Sequence, residues 1–117
     1  MKITYDRDAD AFYVRLLEGG LECETLRVTP DVALDFGRDD KLVGVEILGR
    51  SGVNVIYDSR ADILTVLLAA AAVVAESEEA RPGVILDYDA SRRLVSLEVC
   101  DASKGVTEPG KVEFQAT

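Results

Sequence analysis

The amino-acid sequence predicts an all-β protein made of two tandem repeats of a small antiparallel β-module. Three observations lead there. The first is self-similarity: shifted by 52 positions, the chain aligns with itself without a gap. Tyr5, Asp6 and Asp10 fall on Tyr57, Asp58 and Asp62, while Val32, Leu34, Asp35 and Phe36 fall on Val84, Leu86, Asp87 and Tyr88. Val43, Val45, Glu46 and Ile47 fall on Val95, Leu97, Glu98 and Val99. The second is the short apolar alternation of period two, which belongs to half-buried strands. The third is size: 117 residues make one domain's worth of chain. Each half, at about 50 residues, sits near the lower limit for a core of its own. The expected organisation is a single domain, 1–117, with repeat one at 1–52, repeat two at 53–104 and a C-terminal tail at 105–117. The repeats are expected to share one core about a pseudo-two-fold axis.

The elements follow in order. Ile3 and Tyr5 alternate with Lys2 and Thr4, a first strand. Asp6 to Asp10 contains three aspartates and reads as a turn. Phe12, Val14 and Leu16 alternate with Tyr13, Arg15 and Leu17, a second strand, and Glu18-Gly19-Gly20 closes it as a tight turn. Glu22 to Val28 is a weaker third strand, interrupted by Pro30-Asp31. Val32, Leu34 and Phe36, then Val43, Val45 and Ile47, form a hairpin about Gly37-Arg38-Asp39-Asp40. Pairing Phe36 with Lys41 would set Leu34 opposite Val43 and Val32 opposite Val45, with one face wholly apolar. Repeat two writes the same hairpin with Val84, Leu86 and Tyr88 against Val95, Leu97 and Val99. The uncharged run Ile63 to Ala75 could pass for a buried helix, and Ala69 to Ala72 favour one. The repeat assigns it instead a strand to about Leu68, then a turn or a single helical turn. In the tail, Glu108-Pro109-Gly110 is a turn and Val112-Glu113-Phe114 a short edge strand.

The composition narrows the chemistry. A formal charge of −9 disfavours nucleic acid and anionic membranes, and allows a basic protein partner. The chain has no histidine, which removes Ser-His-Asp and Cys-His catalysis and imidazole metal sites. It has no phosphate-cradling glycine motif. The two cysteines, Cys23 and Cys100, fall on Ala75 and Leu48 in the repeat alignment, which suggests buried reduced thiols. The N-terminus turns polar at once, unlike a secretory signal. Ile63 to Ala75 is shorter than the roughly 20 residues that span a bilayer. The expectation is a cytoplasmic protein with no cofactor and no enzymatic activity.

Duplicated acids are the candidate functional residues. Asp6 and Asp10, with their copies Asp58 and Asp62, could offer oxygens to Ca²⁺ or Mg²⁺. Aspartates in such turns more often cap their own backbone. Asp35 and Glu46, with copies Asp87 and Glu98, fall on the face opposite the apolar one. A close carboxylate pair can serve as acid and base. The plainer alternative is the wet side of a half-exposed sheet, or pairing with Arg15, Arg38 or Arg93.

The set Ile3-Thr4-Tyr5-Asp6, Asp10-Ala11-Phe12-Tyr13-Val14 and Leu16, then Pro30, Val32 and Leu34-Asp35-Phe36, then Leu42-Val43-Gly44-Val45-Glu46-Ile47-Leu48, resembles a prokaryotic domain-of-unknown-function family, DUF2283. The family's usual ending, an Ile-Leu-Asp-Ala-Ser type motif, reads Val99-Cys100-Asp101-Ala102-Ser103 in repeat two. Repeat one departs from it at Leu48-Gly49-Arg50-Ser51. The resemblance implies a small soluble protein with no assigned activity and no catalytic residues to carry over. It also implies, for some members, an antitoxin role beside a small toxin-like protein. The leading expectation is therefore a non-enzymatic β-module that binds a basic protein or forms a homodimer. An uncovered sheet edge or the apolar stretch Ala69 to Val74 would be the surface used. The alternative is a carboxylate-based metal-binding protein or hydrolase.

Overall fold

The structure, a computed structural model, describes residues 1–18, 23–49, 52–69 and 72–116. Gly19 and Gly20 of the turn expected after the second strand, Glu22 of the expected third strand, and Ala70 and Ala71 of the alanine run lie outside the described residues. The chain forms two compact units. One joins residues 1–51 to 103–117, and the other is 52–102.

The first unit is a six-stranded sheet. Its strands are β1 (Lys2–Asp6), β2 (Ala11–Arg15), β3 (Glu24–Thr29), β4 (Val32–Phe36) and β5 (Leu42–Leu48), and the tail supplies one more. The second unit has β6 (Asn54–Asp58), β7 (Ile63–Leu67), β8 (Glu76–Arg81), β9 (Val84–Tyr88) and β10 (Leu94–Cys100). A single helical turn, α1 (Ala102–Gly105), leads into the tail strand β11 (Glu113–Ala116). The sheet orders are β11-β1-β2-β5-β4-β3 and β6-β7-β10-β9-β8. Neighbours run antiparallel in both sheets, except β11, which lies parallel to β1.

Strand pairing repeats in the two units at the 52-residue offset. Ile3 pairs with Val14 and Val55 with Val66; Val14 pairs with Val45 and Val66 with Leu97. Even the irregularities repeat, between Arg27 and Thr29 and between Glu79 and Arg81. The alternation seen in the sequence becomes burial. Val14, Leu34, Val45 and Ile47 are fully buried in the first unit, as are Leu64, Val66, Leu86 and Leu97 in the second.

The hairpin register differs from the expected one by two residues. Leu34 pairs with Val45 rather than Val43, and Val32 with Ile47 rather than Val45. Leu86 likewise pairs with Leu97 and Val84 with Val99. The cause lies at the turn. Arg38–Asp40 form a short 3-10 helix, the Gly37 amide donates to the Lys41 carbonyl at 2.8 Å, and Asp40 takes a φ of +57°. A bulge beside Phe36 and Leu42 then absorbs Val43. The Val43 carbonyl accepts from the amides of Leu16 and Leu17. A shift of two keeps every side chain on its face, so the apolar face survives the change of partners.

The tail belongs to the first unit. The Met1 ammonium donates to the Thr107 carbonyl at 2.9 Å, and the Thr107 amide to the Leu16 carbonyl at 2.8 Å. The expected short edge strand is present at Glu113–Ala116. Among the described residues no helix is long and apolar enough to cross a membrane. Neither cysteine is in a disulfide, but Cys23 is exposed, against expectation, because it precedes the outermost strand β3. Burial pushes the Cys100 thiol above its ordinary pKa.

Candidate functional site

The first group of candidate acids builds the β1–β2 and β6–β7 turns. Asp6 Oδ1 accepts the Asp8 amide at 3.0 Å and the Ala9 amide at 3.4 Å. Asp58 Oδ1 accepts those of Arg60 and Ala61 at 3.0 and 3.2 Å. Asp10 and Asp62 turn the chain with φ of +49° and +56°, a conformation that aspartate tolerates better than most residues. Each also accepts a tyrosine hydroxyl: Tyr5 to Asp10 at 2.8 Å, Tyr57 to Asp62 at 2.6 Å. Those hydrogen bonds to the carboxylates raise the pKa of both tyrosines. The turn is a four-residue clasp held by side chains at both ends.

The second group lies on the face opposite the apolar residues. Asp35, on β4, accepts two hydroxyls: Thr25 Oγ1 at 2.6 Å and Tyr13 OH at 2.8 Å. Asp87 accepts Ser77 Oγ at 2.6 Å and Ser96 Oγ at 2.8 Å. Thr25 and Ser77 are repeat equivalents and bond the same carboxylate oxygen. The other donor changes position. Repeat one sends the Tyr13 hydroxyl across Gly44, which pairs with Asp35 in the ladder. Repeat two has Thr65 at the tyrosine position and Ser96 at the glycine position, opposite Asp87. A Cβ at residue 44 would overlap the Tyr13 ring and hydroxyl, so the tyrosine requires the glycine. Burial and then the Asp35 hydrogen bond raise the Tyr13 pKa.

The glutamates part company. Glu46 pairs with Arg27 at 3.5 Å, both side chains being nearly half exposed, which is a surface pair of small worth. The equivalent of Arg27 in repeat two is Glu79. There hydrogen bonding with the Asp87 carboxyl, then burial, holds the Glu98 pKa above its ordinary value. Asp87 and Ser96 are the buried polar residues among those described. In the first unit, Asp6 and Glu46 both line a shallow hollow of about 360 Å³, with Tyr5, Phe12 and Tyr13.

The sequence had singled out both aspartates and both glutamates, and the structure joins Asp87 to Glu98. Their hydroxyl partners Tyr13, Thr25, Ser77 and Ser96 were missed. The signal was present in the alignment of the repeats: tyrosine became threonine where glycine became serine. Arg27, which the sequence reading did not name, pairs with Glu46, and hydroxyls bond the aspartates.

Equivalent sheet edges are treated differently. The outer side of β1 is covered by β11, with Lys2 beside Glu113 and Ile3 beside Phe114. β6 ends its sheet, and no strand pairs with its outer side among the described residues. Ile56, at its centre, is 53% exposed, and Phe114 on the terminal strand β11 is exposed as well. The edge β8 is guarded by Glu76, Glu78 and Glu79, and Glu76 is ion-paired with Arg92. On β6 the charge is confined to Asp58 at one end.

The family model described as "Protein of unknown function (DUF2283)" matches the chain twice, over residues 2–51 and 54–103. No curated protein and no solved structure matches it.

Proposed function

The chain belongs to the DUF2283 family, once in each half, and for it we propose a non-enzymatic role, as a β-module that binds protein through the open edge of repeat two. The observation that carries this reading is the contrast between β1, covered by β11, and β6, uncovered with Ile56 exposed. An unpaired edge offers a row of backbone donors and acceptors to an incoming strand. The duplicated acids support the same reading, because their bonded oxygens serve turns and strand-to-strand contacts. The charge of −9 suits a basic partner, as an antitoxin-like role would need, and admits a second copy once salt screens the repulsion.

Capture from the native host tests it, with the full chain and a Val55→Pro variant as baits. The variant removes a donor on the open edge. A protein identified by mass spectrometry with the parent and lost with the variant is the expected result. Equal capture by both baits overturns it.

A further inference from the structure

We infer that the occupant of the open β6 edge is the β6 edge of a second copy, paired antiparallel about a two-fold axis through Ile56. The inference rests on the protein-binding reading above and names its partner.

The direction of the backbone groups comes from repeat one. The Glu113 amide donates to the Met1 carbonyl at 3.1 Å. In a parallel ladder alternate residues face the partner, so Met1, Ile3 and Tyr5 turn their backbone groups toward β11. At the 52-residue offset, Val55 and Tyr57 turn theirs to the open side of β6. An antiparallel pairing centred on Ile56 sets Val55 opposite Tyr57 of the second copy, and Tyr57 opposite Val55. Both residues of each such pair face outward, so each pair exchanges both of its backbone hydrogen bonds.

The side chains agree with that register. Val55 with Tyr57 is a β-branched–aromatic pair, of the kind that stabilises sheets. Ile56 meets its own copy on the other face and removes its exposed surface from water. Asn54 meets Asp58, so the one charge on the strand faces an amide rather than its own copy. The pairing joins the two five-stranded sheets into one and closes on itself. The tail strand of a second copy fits less well. Its Glu113 faces Lys2 on β1 but would face Asn54 on β6.

Sedimentation equilibrium on the full chain tests the inference. The parent should dimerise, and more tightly as salt rises, because two copies of charge −9 repel. Val55→Pro should be monomeric with unchanged far-UV circular dichroism. Should proline unfold the strand, position 56 decides, since its side chain is exposed in the single copy. Ile56→Lys and Ile56→Glu should each weaken the dimer about tenfold or more, because like charges then face each other. A one-to-one mixture of the two should dimerise again, since only a two-fold through residue 56 sets it opposite itself. A mixture no better than either variant overturns the inference. A parent that is monomeric throughout also overturns it, while the protein-binding reading then stands or falls on the capture experiment. A parent dimer indifferent to both positions overturns the inference, because copies then meet by another surface, and leaves the protein-binding reading to the capture experiment.

Discussion

Tyr13 and Ser96 deliver the same hydroxyl to equivalent aspartates from different positions in their sheets. This gives a substitution test with a built-in control. Gly44→Ser should destabilise by about 1–3 kcal/mol, as overpacking does, because its Cβ overlaps the Tyr13 ring. Adding Tyr13→Thr should restore most of that loss, since Thr65 and Ser96 already stand together in repeat two. Melts of the two single variants and the double would show strong coupling. Additive effects would mean that the two sites do not share the aspartate. Glu98 makes a pH prediction. Its folded-state pKa is raised, so between the unfolded and folded pKa values the native state binds more protons than the unfolded one. Its favourable contribution is complete below the unfolded pKa and is lost as pH rises through the folded one. Glu98→Gln should therefore raise the melting temperature more near pH 8 than near pH 5, where the parent is closer to protonated. An equal gain at both pH values would show that Glu98 holds no extra proton. Asp35 and Asp87 were legible in the sequence because both repeats keep them. Their donors left only a paired exchange between the repeats, tyrosine to threonine with glycine to serine, because Tyr13 lies 22 residues from Asp35 and on a strand separated from it by another.

The hairpins show the limit of alternation as a guide. Period two fixes which residues share a face, and those faces are the ones observed. It cannot fix register, because sliding a strand by two leaves every face unchanged. The missing information sat in the turns. Asp40 and Arg92 adopt positive φ, and Asp89 caps the amides of Ser91 and Arg93, both at 2.9 Å. None of this has an alternating signature. The true register nevertheless sharpens the stability expectation. Leu34 pairs with Val45 and Leu86 with Leu97, all buried. Leu34→Ala or Leu86→Ala should each lower stability by about 2–5 kcal/mol. Ser91→Ala, at an exposed turn position, should change it by less than about 0.5 kcal/mol. Chemical denaturation measures all three, and similar losses would contradict the buried pairing.

Two copies of one module would be expected to have the same exposed edges, and the tail is what makes them differ. β1 shares the self-complementary pattern of β6. Centred on Thr4, an antiparallel pairing of two β1 strands would set Ile3 opposite Tyr5 and Lys2 opposite Asp6, a pair of opposite charges. Its outer backbone groups are the ones that β11 now engages. The tail thus occupies an edge whose side-chain pattern would pair copies as that of β6 does, and a two-fold pairing through β6 alone stops at a dimer. Removing residues 109–117 should uncover the second while keeping Thr107, whose amide and carbonyl tie the start of the tail to Leu16 and Met1. Each chain would then offer two pairing edges, and growth need no longer close. Light scattering should find the truncated chain in species larger than a dimer, growing with concentration. Adding Thr4→Lys to the truncated chain should return it to a dimer, because that change sets two lysines face to face at the centre of the uncovered edge. A truncated chain of unchanged mass would show that β11 does not act as an edge guard.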